Sequence, residues 1–173
     1  NIWKMYGSRA AELIDENPYC ICADGLDIDF DRADSIAEAL DRPQDDRCRV
    51  RAGIVHVLKH NANNGHTCLP ADKLIPTAVR LLGVAEESVE SSLRELIDSQ
   101  ELILRVFEGR EYLFTPKLYR AEVYTSGRLL MMLRYPAQSI IGADNYIAAI
   151  EQKQGIRYAE GQKEAITQAL SKG

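Results

Sequence analysis

The feature that most limits how this chain folds is a change of hydrophobic period near residue 100. Before it, apolar residues recur at helical spacing in three successive segments: Val50, Ile54, Val57 and Leu58, then Leu74, Ala78, Val79, Leu81 and Leu82, then Val89, Leu93, Leu96 and Ile97. The polar stretch Asn61-Ala62-Asn63-Asn64-Gly65 closes the first, Gly83 closes the second, and the third runs from about Glu86 to Ser99. After it, Leu102-Ile103-Leu104-Arg105-Val106-Phe107 and Glu111-Tyr112-Leu113-Phe114 are rich in aliphatic and aromatic residues and flank Glu108-Gly109-Arg110. Glycine at the turn between two such runs predicts a β-hairpin.

Three helices followed by a hairpin, with a short extended piece at Thr67-Cys68-Leu69 able to join the same sheet, is the order of a winged helix. On either side the chain reads as helix. Tyr6, Ala10, Leu13 and Ile14 share one face of a helix over residues 6–16, which Asn17-Pro18 ends because the residue before proline is pushed out of the α region. A second helix is expected from about Arg32 to Leu40, with Pro43 beyond it. After Pro116 a long helical connector is expected up to Pro136, then helices around Asp144 to Gln154 and Glu160 to Leu170. The fold class is therefore mainly α with a small β-hairpin.

At 173 residues and 46% apolar, the chain has enough apolar surface for a core. Its longest apolar runs, such as Leu129 to Leu133, are too short to span a bilayer, so no membrane partner is expected. It starts at Asn1 without a positively charged, apolar leader, which reads as a piece of a longer protein. The net charge of −5 argues mildly against a phosphate-gripping role. By segment, residues 1–47 carry −7, residues 48–119 are neutral and residues 120–173 carry +2. The acidity belongs to the N-terminal quarter.

Metal and nucleophile chemistry find little support. Cys20-x-Cys22 and His66-x-Cys68 lack the two to four intervening residues that paired zinc ligands prefer, so the four cysteines read as small side chains in a reducing compartment. Asp27, Asp29, Asp31 and Glu38 fall on positions 1, 3, 5 and 12 of a calcium loop, but Arg32 stands where the sharp turn needs glycine and Asp34 where an apolar residue belongs. The alternative is a turn whose aspartates cap the second helix. His56 and His60, one helical turn apart, and His66 have no Ser, Cys or acid placed by sequence to form a triad with them.

Read as a turn, the acidic segment resembles a known pattern. Glu16-Asn17-Pro18-Tyr19, then Leu26-Asp27-Ile28-Asp29-Phe30, then Ala33-Asp34-Ser35-Ile36-Ala37 is similar to the "eNPY … GIGF … aD.iA" run of the RecD/TraA family of superfamily-1 DNA helicases, relatives of the exodeoxyribonuclease V alpha subunit. Arg47 to Leu58 resembles that family's "R…agi.y.L" helix, Gly65-His66-Thr67-Cys68-Leu69-Pro70 its "GHt.lp" turn, and Leu118-Tyr119-Arg120-Ala121-Glu122 its "lY.aE". Tyr158 to Ile166 resembles the "l…Q+.Av" helix that opens the motor. The resemblance implies a helix-hairpin-helix segment over 1–47, a winged-helix-like unit over 48–116, a helical connector over 117–157 and the start of the motor over 158–173. It implies an accessory pre-motor region of an ATP-dependent DNA helicase, positioning the motor, guiding single-stranded DNA or contacting other helicase or nuclease subunits, in a bacterial cytoplasm at the nucleoid. ATP and magnesium are the motor's expected ligands, and Gln162 the residue that reads adenine; an amide both donates to and accepts from an adenine edge.

Two departures qualify that picture. No G-x-x-x-x-G-K-[ST] loop occurs in these residues, so no cofactor is expected within them and no ATP hydrolysis by that mechanism. The two glycines of "GIGF", whose backbone N–H groups would hold phosphate, are matched by Asp27 and Asp29, and carboxylates there repel it. The third helix of the winged unit, with Glu86, Glu87, Glu90, Glu95 and Asp98 against Arg94, is equally unsuited to a DNA groove. That leaves Arg105 and Arg110 of the hairpin as candidate DNA contacts. The rival expectation is a stand-alone winged-helix interaction or regulatory module.

Overall fold

The computed structural model describes residues 2–23, 25, 26, 28–134 and 142–172. Two compact units divide the chain, Asn1–Ala121 and Glu122–Gly173.

The first unit opens with helix α1 (Ile2–Tyr6), a single 3-10 turn at Gly7–Arg9 and helix α2 (Ala10–Glu16). The helix expected over 6–16 is thus broken early and extended toward the N-terminus, with Gly7 at φ +59° making the break. Asn17 leaves the helix in extended conformation and its Oδ1 accepts from the Tyr19 N–H at 3.0 Å, starting a second 3-10 turn over Pro18–Cys22 within the expected connection between the two helices. Helix α3 (Phe30–Ala39) begins two residues before its expected start because Asp29 caps it, its Oδ1 accepting from the Arg32 N–H at 3.1 Å. Asp27, the first position of the calcium-loop alternative, lies outside the described residues.

Helix α4 (Arg47–Asn63) is capped by Asp46, which accepts from Cys48 N at 2.7 Å and Arg49 N at 3.4 Å. Strand β1 (Leu69–Pro70), helix α5 (Ala71–Leu82), helix α6 (Glu86–Asp98), strand β2 (Ile103–Phe107) and strand β3 (Arg110–Phe114) complete the order expected of a winged helix. The three strands form an antiparallel sheet in the order β1-β3-β2. Leu69 stands opposite Leu113, and β2 pairs β3 from Ile103 opposite Phe114 to Phe107 opposite Arg110. The hairpin turn holds Glu108 at φ +51° and Gly109 at φ +75°, the doubly left-handed geometry that matches strand twist.

The helix-hairpin-helix segment and the winged unit, which differ in charge and rhythm, do not have separate cores. Tyr19, Ile21, Phe30, Ala33 and Ala37 join Val50, Ile54, Val57 and Leu58 of α4, and through them Leu74, Leu82, Leu96 and Leu113, in one buried cluster. At the α4–α5 crossing a Cβ on Gly53 would stand 2.5 Å from Leu82 Cδ2, so glycine there is what allows the approach. Arg49, almost wholly buried, binds both oxygens of Asp34 at 2.8 and 3.1 Å and donates to the carbonyls of Gln44 at 2.8 Å and Leu82 at 2.9 Å. The Tyr19 hydroxyl donates to the same Asp34 oxygen at 2.5 Å. Burial pushes the Asp34 carboxyl up, but the hydrogen bonds from Arg49 and Tyr19 and the guanidinium charge together hold it below its ordinary range.

Helix α7 (Pro116–Arg134) begins in the first unit and continues into the second, which also contains α8 (Ala143–Gln154) and α9 (Glu160–Lys172). Pro136, the expected terminator of the connector, lies outside the described residues. Gly155, at φ +66°, ends α8. Glu151 then pins the following turn, accepting from Tyr158 N at 2.7 Å and pairing with Lys163 at 3.2 Å. Among the described residues no helix is long and apolar enough to cross a membrane.

Candidate nucleic-acid interface

Three surfaces bear on phosphate or base recognition, and the acidic turn comes first. Asp29, matched to a glycine of the family's hairpin, occupies the start of α3 with its own carboxylate. The Arg32 N–H at that helix start is bonded to the aspartate, whose charge opposes a phosphate there. Beside it an open cavity of about 620 Å³ runs along the outer face of α4, lined among others by Cys22, Asp29, Phe30, His56, Lys59 and His60. Lys59 Nζ donates to the Cys22 carbonyl at 3.2 Å, and Asp29, Asp31 and Glu101 bring negative charge to the same wall. The two histidines the spacing placed on one face sit ring to ring at 6.1 Å, and His56 packs on Phe30 at 5.4 Å. Burial pushes the Cys22 thiol up to about 11, partly opposed by Lys59, which leaves it a poor nucleophile.

Helix α6 stands where a major-groove reader would be. It buries Val89, Ser92, Leu93 and Leu96 and exposes Glu86, Glu87, Glu90 and Asp98, with Arg94 reaching back toward Glu90. Glu95 is held by Arg47 at 2.6 Å and Arg51 at 3.2 Å. The face left for a partner is negative, which opposes approach of a duplex.

The hairpin presents a different surface. Strand alternation and register place Arg105 opposite Tyr112, Phe107 opposite Arg110 and Ile103 opposite Phe114, all on the sheet face away from the core. The other face carries Leu104 and Leu113 toward the core. The outward rings touch: Phe107 lies 5.7 Å from Tyr112 and 6.4 Å from Phe114, and Tyr119 of α7 meets Phe114 edge-on at 5.5 Å. Both candidate arginines are stacked on this layer. Arg105 sits 4.6 Å over the Tyr119 ring and donates to its hydroxyl at 2.8 Å. Arg110 sits 5.8 Å over Tyr112 and binds both oxygens of Asp72 at 2.9 Å, which holds its pKa above the usual value. Among the described residues Arg105 pairs with no carboxylate, so the two cations differ: Arg110 is neutralised and Arg105 is not. The sequence reading named the arginines and missed the rings, although period-2 alternation already set Arg105 with Phe107 and Tyr112 with Phe114.

Gln162, in the second unit, is exposed in the first turn of α9, and its Oε1 accepts from the Ala159 N–H at 2.9 Å. That bond is half of a capping box and takes one of the two lone pairs of the oxygen an adenine amine would use.

The helical N-terminal segment has a known counterpart. Residues 1–68, about two-fifths of the chain, match the family described as the ATP-dependent RecD2 DNA helicase HHH domain. The match runs past the acidic turn and through α4, the helix shared with the winged unit. Residues 1–68 are thus similar to the HHH domain of RecD2-type DNA helicases, and the helix-hairpin-helix segment expected over 1–47 lies within that match.

Proposed function

We propose that this chain is an accessory, pre-motor region of an ATP-dependent DNA helicase, which carries the motor's neighbouring subunit contacts and offers DNA a surface in a bacterial, nucleoid-associated setting. The observation that carries the reading is the RecD2-type HHH match over residues 1–68, fused through a common core to a winged helix. Because Asp29 fills the phosphate position at the start of α3 and α6 is acidic, the DNA contact is assigned to Arg105 and Arg110 on the hairpin. Phosphate contacts release counterions, so affinity for single-stranded DNA should fall with salt by a slope of about 0.7 per contact. Titrating the 173-residue chain with a labelled oligonucleotide at two salt concentrations measures it, and Arg105→Gln should reduce the slope more than Arg110→Gln. No binding at low salt would remove DNA as a partner and favour the second reading, a winged-helix interaction module, for which the acidic α6 face speaks.

The motor itself is tested in the coding sequence, which should run on past Gly173 into a G-x-x-x-x-G-K-[ST] loop within a few dozen residues; its absence would sink the helicase reading. Gln162 is proposed as the adenine reader of that motor. Its amide N–H groups and the second lone pair of Oε1 are the groups that would engage the base. Gln162→Glu in a protein carrying the motor should raise KM for ATP, while unchanged KM would leave Gln162 as a helix cap.

A further inference from the structure

We infer that the outward face of the wing is a stacking platform for unpaired bases of single-stranded DNA, with Phe107 as its stacking residue and Arg105 as its phosphate contact. The inference deepens the helicase reading and rests on it. A sheet face turned to solvent ordinarily carries polar side chains. This one carries Phe107, Tyr112 and Phe114, joined by Tyr119 of α7 in a connected layer, with Phe107 about half exposed at the hairpin end, 51%. Tyr119 covers Phe114, which is buried, so the inner rings fix the layer and leave Phe107 open.

Charge decides the occupant. Arg105 lies on the same face with no carboxylate partner among the described residues, held in place by its stack on Tyr119 and its bond to the hydroxyl. A fixed cation beside an open ring matches a phosphodiester beside a base. Duplex DNA has its base faces occupied by stacking and would also meet the acidic α6 of the same winged helix. A single strand presents both the rings and the phosphates. Stacking is tolerant of base identity because every base has a π face, so the platform fits a strand of any sequence.

The test uses the 173-residue chain and a labelled oligo-dT strand. Phe107→Ala should weaken binding about 5- to 100-fold, the range that loss of one base–aromatic stack produces. Phe107→Trp, in a Trp3→Phe background, should keep the affinity and lose indole emission on adding oligo-dT but not on adding duplex of the same length. Arg105→Gln should lower the salt slope by about 0.7. If the strand binds the wild type and Phe107→Ala equally, or if the Phe107→Trp emission is unmoved by the strand, the platform is wrong while the helicase reading stands. If the wild type binds no DNA at low salt, the DNA contact of that reading fails first. Should Phe107→Ala lose its fold, the emission of Phe107→Trp still decides.

Discussion

Arg49 illustrates what a single residue does in this chain. One guanidinium satisfies a carboxylate of α3 and two backbone carbonyls, one in the turn before α4 and one at the end of α5, so removing its charge partner leaves a cation in a nearly water-free position. Asp34→Asn should cost roughly 2 kcal/mol, below the 3–5 kcal/mol of a fully buried pair because Asp34 is partly exposed. The pH dependence follows from the depressed carboxyl. Its contribution is complete above the unfolded aspartate value of about 3.9 and is lost as pH falls through the lower folded value. Urea unfolding from pH 7 down to pH 3 should show wild type losing more stability than Asp34→Asn. Gly53 gives the opposite kind of test. Alanine would gain about 1 kcal/mol of helix propensity, but crowding the buried Leu82 costs about 1–3 kcal/mol, so Gly53→Ala should lower the denaturation midpoint. Neither role was legible in the sequence. Asp34 entered the sequence reading as a misfit in the calcium loop and as part of the resemblance, and Gly53 only within the Arg47 to Leu58 helix, neither with a packing partner, because their partners lie 15 and 29 positions away and periodicity reports only neighbours.

The elements were far more legible. The three helices and the hairpin of the winged unit appear in the expected order because each has a long apolar face and a clear stop, such as Gly83 in the left-handed region. The first forty residues were read less well. Gly7 breaks the opening helix, the segment after Asn17 coils into a 3-10 turn, and α3 starts early, all effects of single capping or hinge residues on short helices. Capping can be measured directly: Asp46→Ala should destabilise α4 by about 1 kcal/mol and Asp46→Asn by much less, read as shifts of the urea midpoint. The candidate site was half legible for a related reason. Arg105 and Arg110 stand out by charge, while the rings become a surface only once the register puts them on one face and Tyr119 arrives from α7.

At the scale of the molecule, charge and rhythm change near residue 47 but packing does not. A chain beginning at Arg47 would expose the α4 surface that Tyr19, Ile21, Phe30 and Ala37 cover, and should fail to unfold cooperatively, whereas one ending at Ala121 keeps the whole cluster and should show a single urea transition. Circular dichroism of the two truncations separates these outcomes. Sequence could not show the shared core, since the apolar residues on each side suffice to suggest a small core of their own. The arginine at its centre therefore has a consequence for chimeras as well as for stability. Because Arg49 reads its carboxylate from one side of residue 47 and a carbonyl from beyond Gly53, joining this stretch to a partner sequence without a carboxylate at position 34 would deliver a cation without its anion. The helix-hairpin-helix segment and the wing share one core, so a chimera is best joined outside residues 1–121.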